Sequence, residues 1–351
     1  MRVLQLIDNL DAGGAERVAV TFANTLHSKI DFSAIAVTRK EGILNNTLDK
    51  NVPYLFIKKK GTFDLKALSR LKKYVKENNV DIVHAHTTSY FFATLLKLRV
   101  PRLKLIWHEH QGNRVHTSRI NNKVLYGCSK LFSGILTVNE PLKKWCLTYL
   151  SNSKVEYIPN FVSVANISEE EKRREQSIVC VANLKEPKNH INLLRAFKIV
   201  NAQFPYWNLK LIGKDFNDTY SQNLKDFVKL NKLTDNVTFK GVVANVNLEL
   251  KTALIGVLSS SDEGLPMALL EYGAFGLAVV CTNVGQCPKV IGTFGKIVEN
   301  DNCNQLAQAL IEYINDLEMC KYDSKLFREH ILANYGLKTV VPQLLTFYKS
   351  I

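Results

Sequence analysis

Short apolar runs alternate with helical segments along both halves of this 351-residue chain. Apolar runs bounded by polar turns are typical of buried strands, and strands that alternate with helices predict parallel, doubly wound α/β sheets. The length is typical of two domains. The predicted strands are 2–7, 32–37, 54–57, 81–86, 104–110, 134–139 and 155–160 in the first half, and 177–183, 209–213, 236–241, 255–258 and 278–281 in the second. The predicted helices include 15–23, 65–76, 191–200, 304–317 and 326–335.

A polar segment separates the two halves. Residues 163–174 contain three consecutive glutamates followed by Lys172, Arg173 and Arg174, and a new series of strands begins at Ser177. Such a change of composition is typical of a linker. We therefore predict domains at 1–165 and 166–336, followed by an amphipathic helix at 337–351.

The chain is basic. It has 46 Lys and Arg against 32 Asp and Glu, a formal net charge of +14. This charge favours polyanionic partners, such as nucleic acid, an anionic membrane surface or phosphorylated ligands. Zinc-finger spacing, RNP-like aromatic motifs and basic heptads are missing from the sequence, so we do not expect a nucleic-acid partner.

Cysteine usage and the first residues bear on location. The seven cysteines are spread singly and form no C-x-x-C pair, so we predict reduced core residues rather than disulfides or metal ligands. The opening apolar run is short and meets acidic residues at once, which is not typical of a signal peptide. No run approaches the ~20 apolar residues of a membrane span. The sequence predicts a cytoplasmic protein whose membrane contact, where it occurs, is peripheral.

The segment around Glu263 combines a strand, a turn and a helix start. Ile255–Leu258 predicts a buried strand, and a helix is predicted from Met267, with Pro266 in or just before its first turn. A helix N-terminus favours an anion. Glu263 and Glu271 bracket it, and their spacing predicts two carboxylates about two helical turns apart on one side. A phosphate between two hydroxyl-rich groups would fit, which is the layout of a nucleotide sugar. The plain alternative is that Glu263 caps the helix and Glu271 is a solvated surface residue.

The same segment carries a family resemblance. Glu-Gly-Leu-Pro at 263–266, followed by Glu271-Tyr272-Gly273-Ala274, resembles the E-x7-E signature of retaining group 1 glycosyltransferases, which form glycosyltransferase family 4 and have the GT-B fold. The resemblance implies two Rossmann-like domains with doubly wound parallel sheets that face each other across a cleft. The domain 1–165 would bind the acceptor, 166–336 would bind the nucleotide sugar, and the helix 337–351 would pack back on the first domain.

The resemblance also implies donor-binding residues. Glu271 would hold the ribose hydroxyls, and Glu263 with the backbone of Gly264, Leu265 and Pro266 would hold the sugar and the β-phosphate. The loop 183–190 resembles the Gly-Arg-Leu-x-x-x-Lys-Gly/Asn loop whose Arg and Lys clamp the diphosphate. Lys188 has the place of the Lys, but Asn183 replaces the Arg and adds no charge. Lys185 is the candidate for the missing cation, although both lysines could simply keep the loop soluble.

Gly13 and Gly14 join the first predicted strand to the first predicted helix. A glycine pair there lets a ligand approach the backbone at a helix N-terminus. The pair is not part of a G-x-G-x-x-G fingerprint, and a tight βα turn is the plain alternative. Gly-Gly-Ala-Glu-Arg resembles the family's first loop, which implies that both glycines lie against the acceptor and the donor diphosphate.

Two His-x-His pairs, His84 with His86 and His108 with His110, end predicted strands. Residues two apart share a face of a strand, so each pair could chelate a metal. No acid or cysteine cluster completes a ligand set, and Glu109 is predicted on the opposite face, so we predict no metal. The resemblance implies a donor-sugar contact from a histidine at the end of the second of these strands. For this contact His110 is our first choice and His108 is the alternative, because the register of the strand is left open. His84 and His86 are predicted to be core residues.

A helix at 65–76 carries a row of basic residues, Lys66, Arg70, Lys72, Lys73 and Lys76, with Lys58–Lys60 just before it. Its apolar side is predicted to be Leu65, Leu68, Leu71 and Val75. The usual interpretation is a solvated helix face. The alternative is a contact with anionic lipid, to which each nearby basic residue contributes about 1 kcal/mol.

The resemblance implies transfer of a hexosyl-type sugar from a UDP- or GDP-linked donor, with retention of configuration and no cofactor. The acceptor would be a lipid-linked or polysaccharide-precursor glycan, as in capsule or O-antigen synthesis. The sequence lacks a D-x-D motif, which agrees with catalysis without a metal. The alternatives are a GT-B-type epimerase or phosphorylase, or a non-catalytic nucleotide-sugar or lipid-binding protein.

Overall fold

The computed structural model of the protein describes residues 1–11, 13–163, 174–243 and 245–351. Most of the predicted linker lies outside these residues. The strands are β1 (Arg2–Asn9), β2 (Phe32–Lys40), β3 (Tyr54–Phe56), β4 (Ile82–His86), β5 (Lys104–Glu109), β6 (Gly134–Thr137), β7 (Val155–Tyr157), β8 (Ser177–Val181), β9 (Asn208–Ile212), β10 (Val237–Gly241), β11 (Ile255–Leu258), β12 (Ala278–Thr282) and β13 (Lys296–Val298).

Helices follow most of these strands. They are α1 (Gly14–His27), α2 (Leu65–Glu77), α3 (Tyr90–Arg99), α4 (Lys123–Ser129), α5 (Glu140–Tyr149), α6 (His190–Gln203), α7 (Thr219–Leu230), α8 (Val246–Thr252), α9 (Met267–Ala274), α10 (Cys287–Ile291), α11 (Cys303–Asn315), α12 (Leu317–Tyr335) and α13 (Leu337–Ser350). Within the described residues, no helix is both long enough and apolar enough to cross a bilayer.

The chain divides into two compact units, Met1–Ser163 with Val340–Ile351, and Val164–Thr339. The first contains a sheet in the order β3-β2-β1-β4-β5-β6-β7, and the second contains a sheet in the order β10-β9-β8-β11-β12-β13. The described strand pairs are all parallel. The strand order reverses between β1 and β4 in the first sheet and between β8 and β11 in the second. Doubly wound sheets bind ligands at such a reversal point.

Both faces of the first sheet are covered. Leu4 and Leu6 of β1 pack into one cluster with Trp107, and Ile7 packs into a second cluster with Val20 of α1. The second unit has a corresponding core that includes Ile178, Val257 and Phe197. Strands buried on both faces are continuous apolar runs, which is why the apolar runs predicted the strands correctly.

The last helix, α13, packs on the first sheet. Its Tyr348 hydroxyl lies 2.6 Å from Nδ1 of His84 on β4. Gly134 of β6 leaves room for the ring of Phe347, which a Cβ would strike. Lys154 donates a hydrogen bond to the carbonyl of Ser350.

Three details differ from the sequence predictions. Strand β13 was not predicted, because it has only three residues and two of them are partly or fully exposed. Helix α12 begins at Leu317, well before the predicted 326, since its first half is polar and has no apolar period. Leu65 is 60% exposed rather than part of the apolar side of α2; Ala67 is buried with Leu68, Leu71 and Val75 instead.

Candidate active site

Two loops at the carboxyl edge of the second sheet are fastened together. They follow β8 and β11, which are neighbours in the sheet. The Ser259 hydroxyl donates to the carbonyl of Lys188 at 3.0 Å, and the Ser261 amide donates to the carbonyl of Pro187 at 2.8 Å. Because these bonds join the loops, residues far apart in sequence meet at one point.

Lys188 and Glu263 form an ion pair at this point. The Lys188 Nζ donates to Oε1 of Glu263 at 2.6 Å, and the Ser260 hydroxyl donates to the same oxygen at 2.6 Å. The side chain of Glu263 is only 8% exposed and that of Lys188 is 24% exposed. A charge-assisted hydrogen bond is shorter and stronger than a neutral one. Two sequence-predicted donor residues are therefore brought together.

The structure corrects two expectations about Glu263. Helix α9 begins at Met267, and its N-cap position is Pro266, with no side-chain hydrogen bond to the first turn. Glu263 therefore does not cap the helix. Since it also lies outside α9, the prediction of two carboxylates two helical turns apart along one side is wrong; only Glu271 lies on the helix, where it is half-buried.

The first turn of α9 lies directly after Gly264, Leu265 and Pro266. Leu265 is buried, and the backbone carbonyl of Gly264 accepts a hydrogen bond at 3.3 Å from the backbone N–H of Gln286. An N-terminus without a side-chain cap presents backbone N–H groups and the positive end of the helix dipole. The backbone of 264–266 thus joins the Lys188–Glu263 pair to a helix end that can accept an anion.

Gly285 holds a third loop, which follows β12, against Glu263. Its φ is +51°, and a Cβ at this position would strike the carbonyl oxygen of Glu263. The position therefore requires glycine for conformation and for space. Gly285 was not assigned to the site from the sequence; the available signal was a glycine three residues after the buried strand β12.

Asn183 and Lys185 lie in the loop after β8. None of the hydrogen bonds among the described residues connects their side chains to the Lys188–Glu263 ion pair. The Oδ1 of Asn183 accepts a hydrogen bond from the amide of Lys214 at 2.8 Å, so this side chain ties the ends of β8 and β9 together. Lys185 is exposed. Lys214 is a further cation at the carboxyl end of β9 that sequence reasoning missed.

In the first unit, Gly13 and Gly14 start α1 at the carboxyl edge of the sheet. The N-cap residue of α1 is Gly13, which has no side chain to cap the first turn. Asp8, at the end of β1, accepts hydrogen bonds from Thr38 at 2.5 Å and Thr88 at 2.6 Å. These bonds hold the carboxylate at the carboxyl end of β1, and Asp8 was not predicted from the sequence.

The two His-x-His pairs form one cluster in the first unit. His84, His86 and His108 are fully buried, and their ligand-type nitrogens lie within 4.8 Å of one another. His110 follows the end of β5, and its Nε2 lies 3.0 Å from Nδ1 of His86. Burial lowers the pKa of the first three well below the usual range and lowers the pKa of His110 to about 3, so all four rings are neutral at physiological pH.

The ring geometry of this cluster is poor for a metal. The rings of His84 and His86 are stacked, with centroids 4.5 Å apart and planes 12° from parallel. An imidazole binds a metal in its ring plane at about 2.0–2.1 Å, and two nearly parallel planes share no such point nearby. Glu109 faces the other side of β5, where it pairs with Arg114.

The structure separates the roles open to His108 and His110. His108 lies inside the cluster, where its ring centroid is 5.8 Å from that of Phe22 of α1. His110 is only partly buried and lies just beyond the strand end. The choice of His110 over His108 as the histidine that contacts the donor sugar stays a prediction.

Each unit contains a doubly wound parallel sheet with glycine-containing loops and polar residues at its carboxyl edge, which is the edge where α/β proteins of this class bind ligands. A family model described as glycosyl transferases group 1 matches residues 164–326. A second model, glycosyltransferase family 4, matches residues 12–166. The chain belongs to the group 1 glycosyltransferases of the family 4 type.

Known proteins agree with this assignment. The capsular polysaccharide biosynthesis glycosyltransferase CapH of Staphylococcus aureus is 26% identical over 83% of each chain. The UDP-Gal:alpha-D-GlcNAc-diphosphoundecaprenol alpha-1,3-galactosyltransferase of Escherichia coli is 22% identical over 95% of this chain and 93% of its own. The crystal structure of Anabaena HepE in complex with UDP and glucose superposes with a TM-score of 0.84 over all of both chains at 15% identity. The predicted fold class, GT-B, is confirmed.

Proposed function

We propose that this glycosyltransferase moves a hexosyl-type sugar from a UDP- or GDP-linked donor to a lipid-linked or polysaccharide-precursor glycan of capsule or O-antigen synthesis. The observation that carries the proposal is the Lys188–Glu263 pair beside the N-terminus of α9, with Glu271 on that helix. The role of CapH in capsular polysaccharide biosynthesis and the diphosphoundecaprenol-linked acceptor of the Escherichia coli galactosyltransferase support the acceptor class. The complex of HepE with UDP and glucose supports a nucleotide-sugar donor.

The donor exchanges partners with the ion pair. Lys188 is held by Glu263 at 2.6 Å, and a diphosphate offers it a stronger anionic partner. Glu263 is then free to accept hydrogen bonds from sugar hydroxyls, while Glu271 accepts from the ribose hydroxyls. The first turn of α9 and Lys188 stabilise the negative charge that develops on the leaving diphosphate.

The reaction replaces one bond at the anomeric carbon by another. The bond from this carbon to the diphosphate oxygen breaks, and the acceptor hydroxyl oxygen forms the new glycosidic bond. The hydroxyl proton goes to the donor phosphate, so nucleoside diphosphate leaves and the configuration is retained. His110, Gly13 and Gly14 would contact the reacting groups from the first domain, and no metal cofactor is required by this scheme.

Donor binding tests the proposal directly. Thermal unfolding of the full chain would be followed with a panel of UDP- and GDP-linked hexoses, since a ligand that binds only the folded state raises the melting temperature. One donor should give a clear shift that is lost in Lys188→Met and kept in Lys198→Met, a control at an exposed lysine of α6. The absence of a shift with every nucleotide sugar, or an equal shift in both variants, would contradict the proposed site.

We also propose a peripheral contact between α2 and the cytoplasmic face of an anionic membrane. Two apolar side chains at its start are unusually exposed, Phe63 at 71% and Leu65 at 60%. Exposed basic residues precede them and continue along the helix, namely Lys58, Lys60, Lys66, Lys73 and Lys76. Apolar side chains within a basic surface suit the boundary between acyl chains and anionic headgroups.

A further inference from the structure

A chain of hydrogen bonds runs from the interior of the first sheet to His110. The Nε2 of His86 lies 2.9 Å from Oε1 of Gln5, and the Nδ1 of His86 lies 3.0 Å from Nε2 of His110. Gln5 is on β1 and His86 is on β4, which are neighbours in the sheet. Gln5 and His86 are fully buried, so water does not compete for these bonds.

The positions of the protons in this series of hydrogen bonds follow from its first acceptor. The amide oxygen of Gln5 can only accept, so Nε2 of His86 carries a proton. A neutral imidazole has one N–H, and burial keeps His86 neutral by lowering its pKa well below the usual range. Its Nδ1 is therefore an acceptor, and the bond to His110 must be donated by the Nε2–H of His110.

This arrangement leaves a lone pair on Nδ1 of His110. That nitrogen is buried and has no hydrogen-bond partner among the described residues. An unpartnered buried polar atom is destabilising, and in a native protein it calls for an explanation, such as a ligand. The group that would satisfy an unprotonated nitrogen is a hydrogen-bond donor, for example a hydroxyl.

We propose that His86 and Gln5 are positioning residues that hold His110 as its Nε2–H tautomer, so that Nδ1 accepts a hydrogen bond from a hydroxyl of the donor sugar. The proposal rests on the proposed function for the identity of the ligand. It adds a specificity: the donor sugar must carry a hydroxyl at this position.

The tautomer can be measured without any substrate. The full chain would be labelled with ¹⁵N-histidine, and the imidazole signals of His110 would be assigned by comparison with His110→Gln among the eight histidines. Protonated and unprotonated ring nitrogens have distinct ¹⁵N shifts. We expect a protonated Nε2 and an unprotonated Nδ1. The opposite tautomer, or an averaged pair of signals, would overturn the proposal, and this result does not depend on whether transfer is observed.

Variants test the chain of contacts. Gln5→Met removes the acceptor, and His86→Leu removes the bond to His110; each should replace the single tautomer by averaged signals. His86→Asn, whose amide oxygen can take the place of Nδ1, should restore it. His84→Asn is the matched control, because His84 is equally buried and its Nδ1 bonds Tyr348 instead. A single Nε2–H tautomer that persists in both Gln5→Met and His86→Leu would overturn the proposal, and the wild-type spectrum decides it where a variant does not fold.

Activity gives a second readout once the donor is known. His86→Leu should lower kcat/KM on the order of 10- to 100-fold, since a small misplacement of a contacting group has an effect of this size, and His86→Asn should recover most of it. A donor analogue that lacks the hydroxyl should react equally slowly with wild type and His86→Leu. If His86→Leu has an altered tautomer but is as active as wild type, the positioning role is overturned. A complete lack of transfer by wild type would instead contradict the proposed function and leave the tautomer result intact.

Discussion

The ammonium of Lys188 and the carboxylate of Glu263 lie 2.6 Å apart, although 75 residues separate them in the chain. Each is held by its own loop, and Ser259 and Ser261 bond the two loops to each other. Because the loops are bonded to each other, the fold of the second unit itself brings the two charges together. In the proposed donor complex, a diphosphate would take Lys188 and release Glu263 at the same place, so one exchange of partners would bind the donor's charged and hydroxyl groups.

Replacement of Lys188 by Met should weaken donor binding and destabilise the second unit. Glu263 is 8% exposed, and without Lys188 it becomes a nearly buried charge with no cation. We expect a donor Kd about 10- to 100-fold higher, and a loss of about 1–3 kcal/mol in the free energy of unfolding. Titration calorimetry and urea unfolding would measure these. The exposed Lys198→Met should change neither, and a Lys188→Met protein with normal affinity would contradict the assigned role.

Gly285→Ala should disturb the site through the backbone of Glu263. An added Cβ strikes the Glu263 carbonyl and also meets a φ of +51°. Gly241→Ala is the matched control, because its φ is +63° but nothing lies within 4 Å of the added Cβ. Both should lose about 1 kcal/mol from conformation. Only Gly285→Ala should also weaken donor binding, and equal affinities in the two variants would show that the loop does not act on Glu263.

Several strands that the sequence predicted correctly, including β11 and β12, are buried on both faces and are therefore continuous apolar runs. Ile255–Leu258 is apolar throughout and is the strand β11 as predicted. The polar first half of α12 and the three-residue β13 lack such a pattern. At the site, motif resemblance supplied Lys188 and Glu263. The direct ion pair, the contact of Gly285 with Glu263 and the bond from His86 to His110 are tertiary contacts, which no local spacing encodes.

The histidine cluster should make the first unit sensitive to acid. Burial lowers the folded-state pKa of His84, His86 and His108 well below 6.5, and that of His110 to about 3. A group with a depressed folded pKa binds more protons when unfolded, so its contribution is present above pH 6.5 and is lost as pH falls toward the folded pKa. Each such histidine should remove up to about 1.4 kcal/mol per pH unit.

Urea unfolding of wild type and His84→Leu between pH 7.5 and pH 5 would measure this dependence. The variant should lose less stability than wild type over this interval, because it has one fewer buried imidazole to protonate on unfolding. His116→Asn, at an exposed position, should keep the wild-type slope. Parallel pH curves for wild type and His84→Leu would show that His84 does not contribute to the acid sensitivity.

The start of α2 should determine membrane binding. The double variant Phe63→Ser/Leu65→Ser removes the exposed apolar groups. The double variant Lys66→Glu/Lys73→Glu reverses part of the charge. Each double variant should reduce sedimentation with vesicles of phosphatidylglycerol and phosphatidylcholine by several fold. Tyr206→Ser, at an exposed aromatic position of the second unit, is the control. Equal binding by all variants, or none by wild type, would contradict the proposed surface.

The most direct test of the central claim is transfer from the selected donor to a lipid-linked glycan acceptor by wild type, Glu263→Gln and Glu271→Gln. Glu318→Gln is the control, because this glutamate is 84% exposed on α12. The two site variants should lose at least about tenfold in kcat/KM, more than about 1.4 kcal/mol of transition-state stabilisation, and the product should retain the anomeric configuration of the donor. Transfer at the wild-type rate by both Glu263→Gln and Glu271→Gln would contradict the claim that this edge of the second sheet binds the donor.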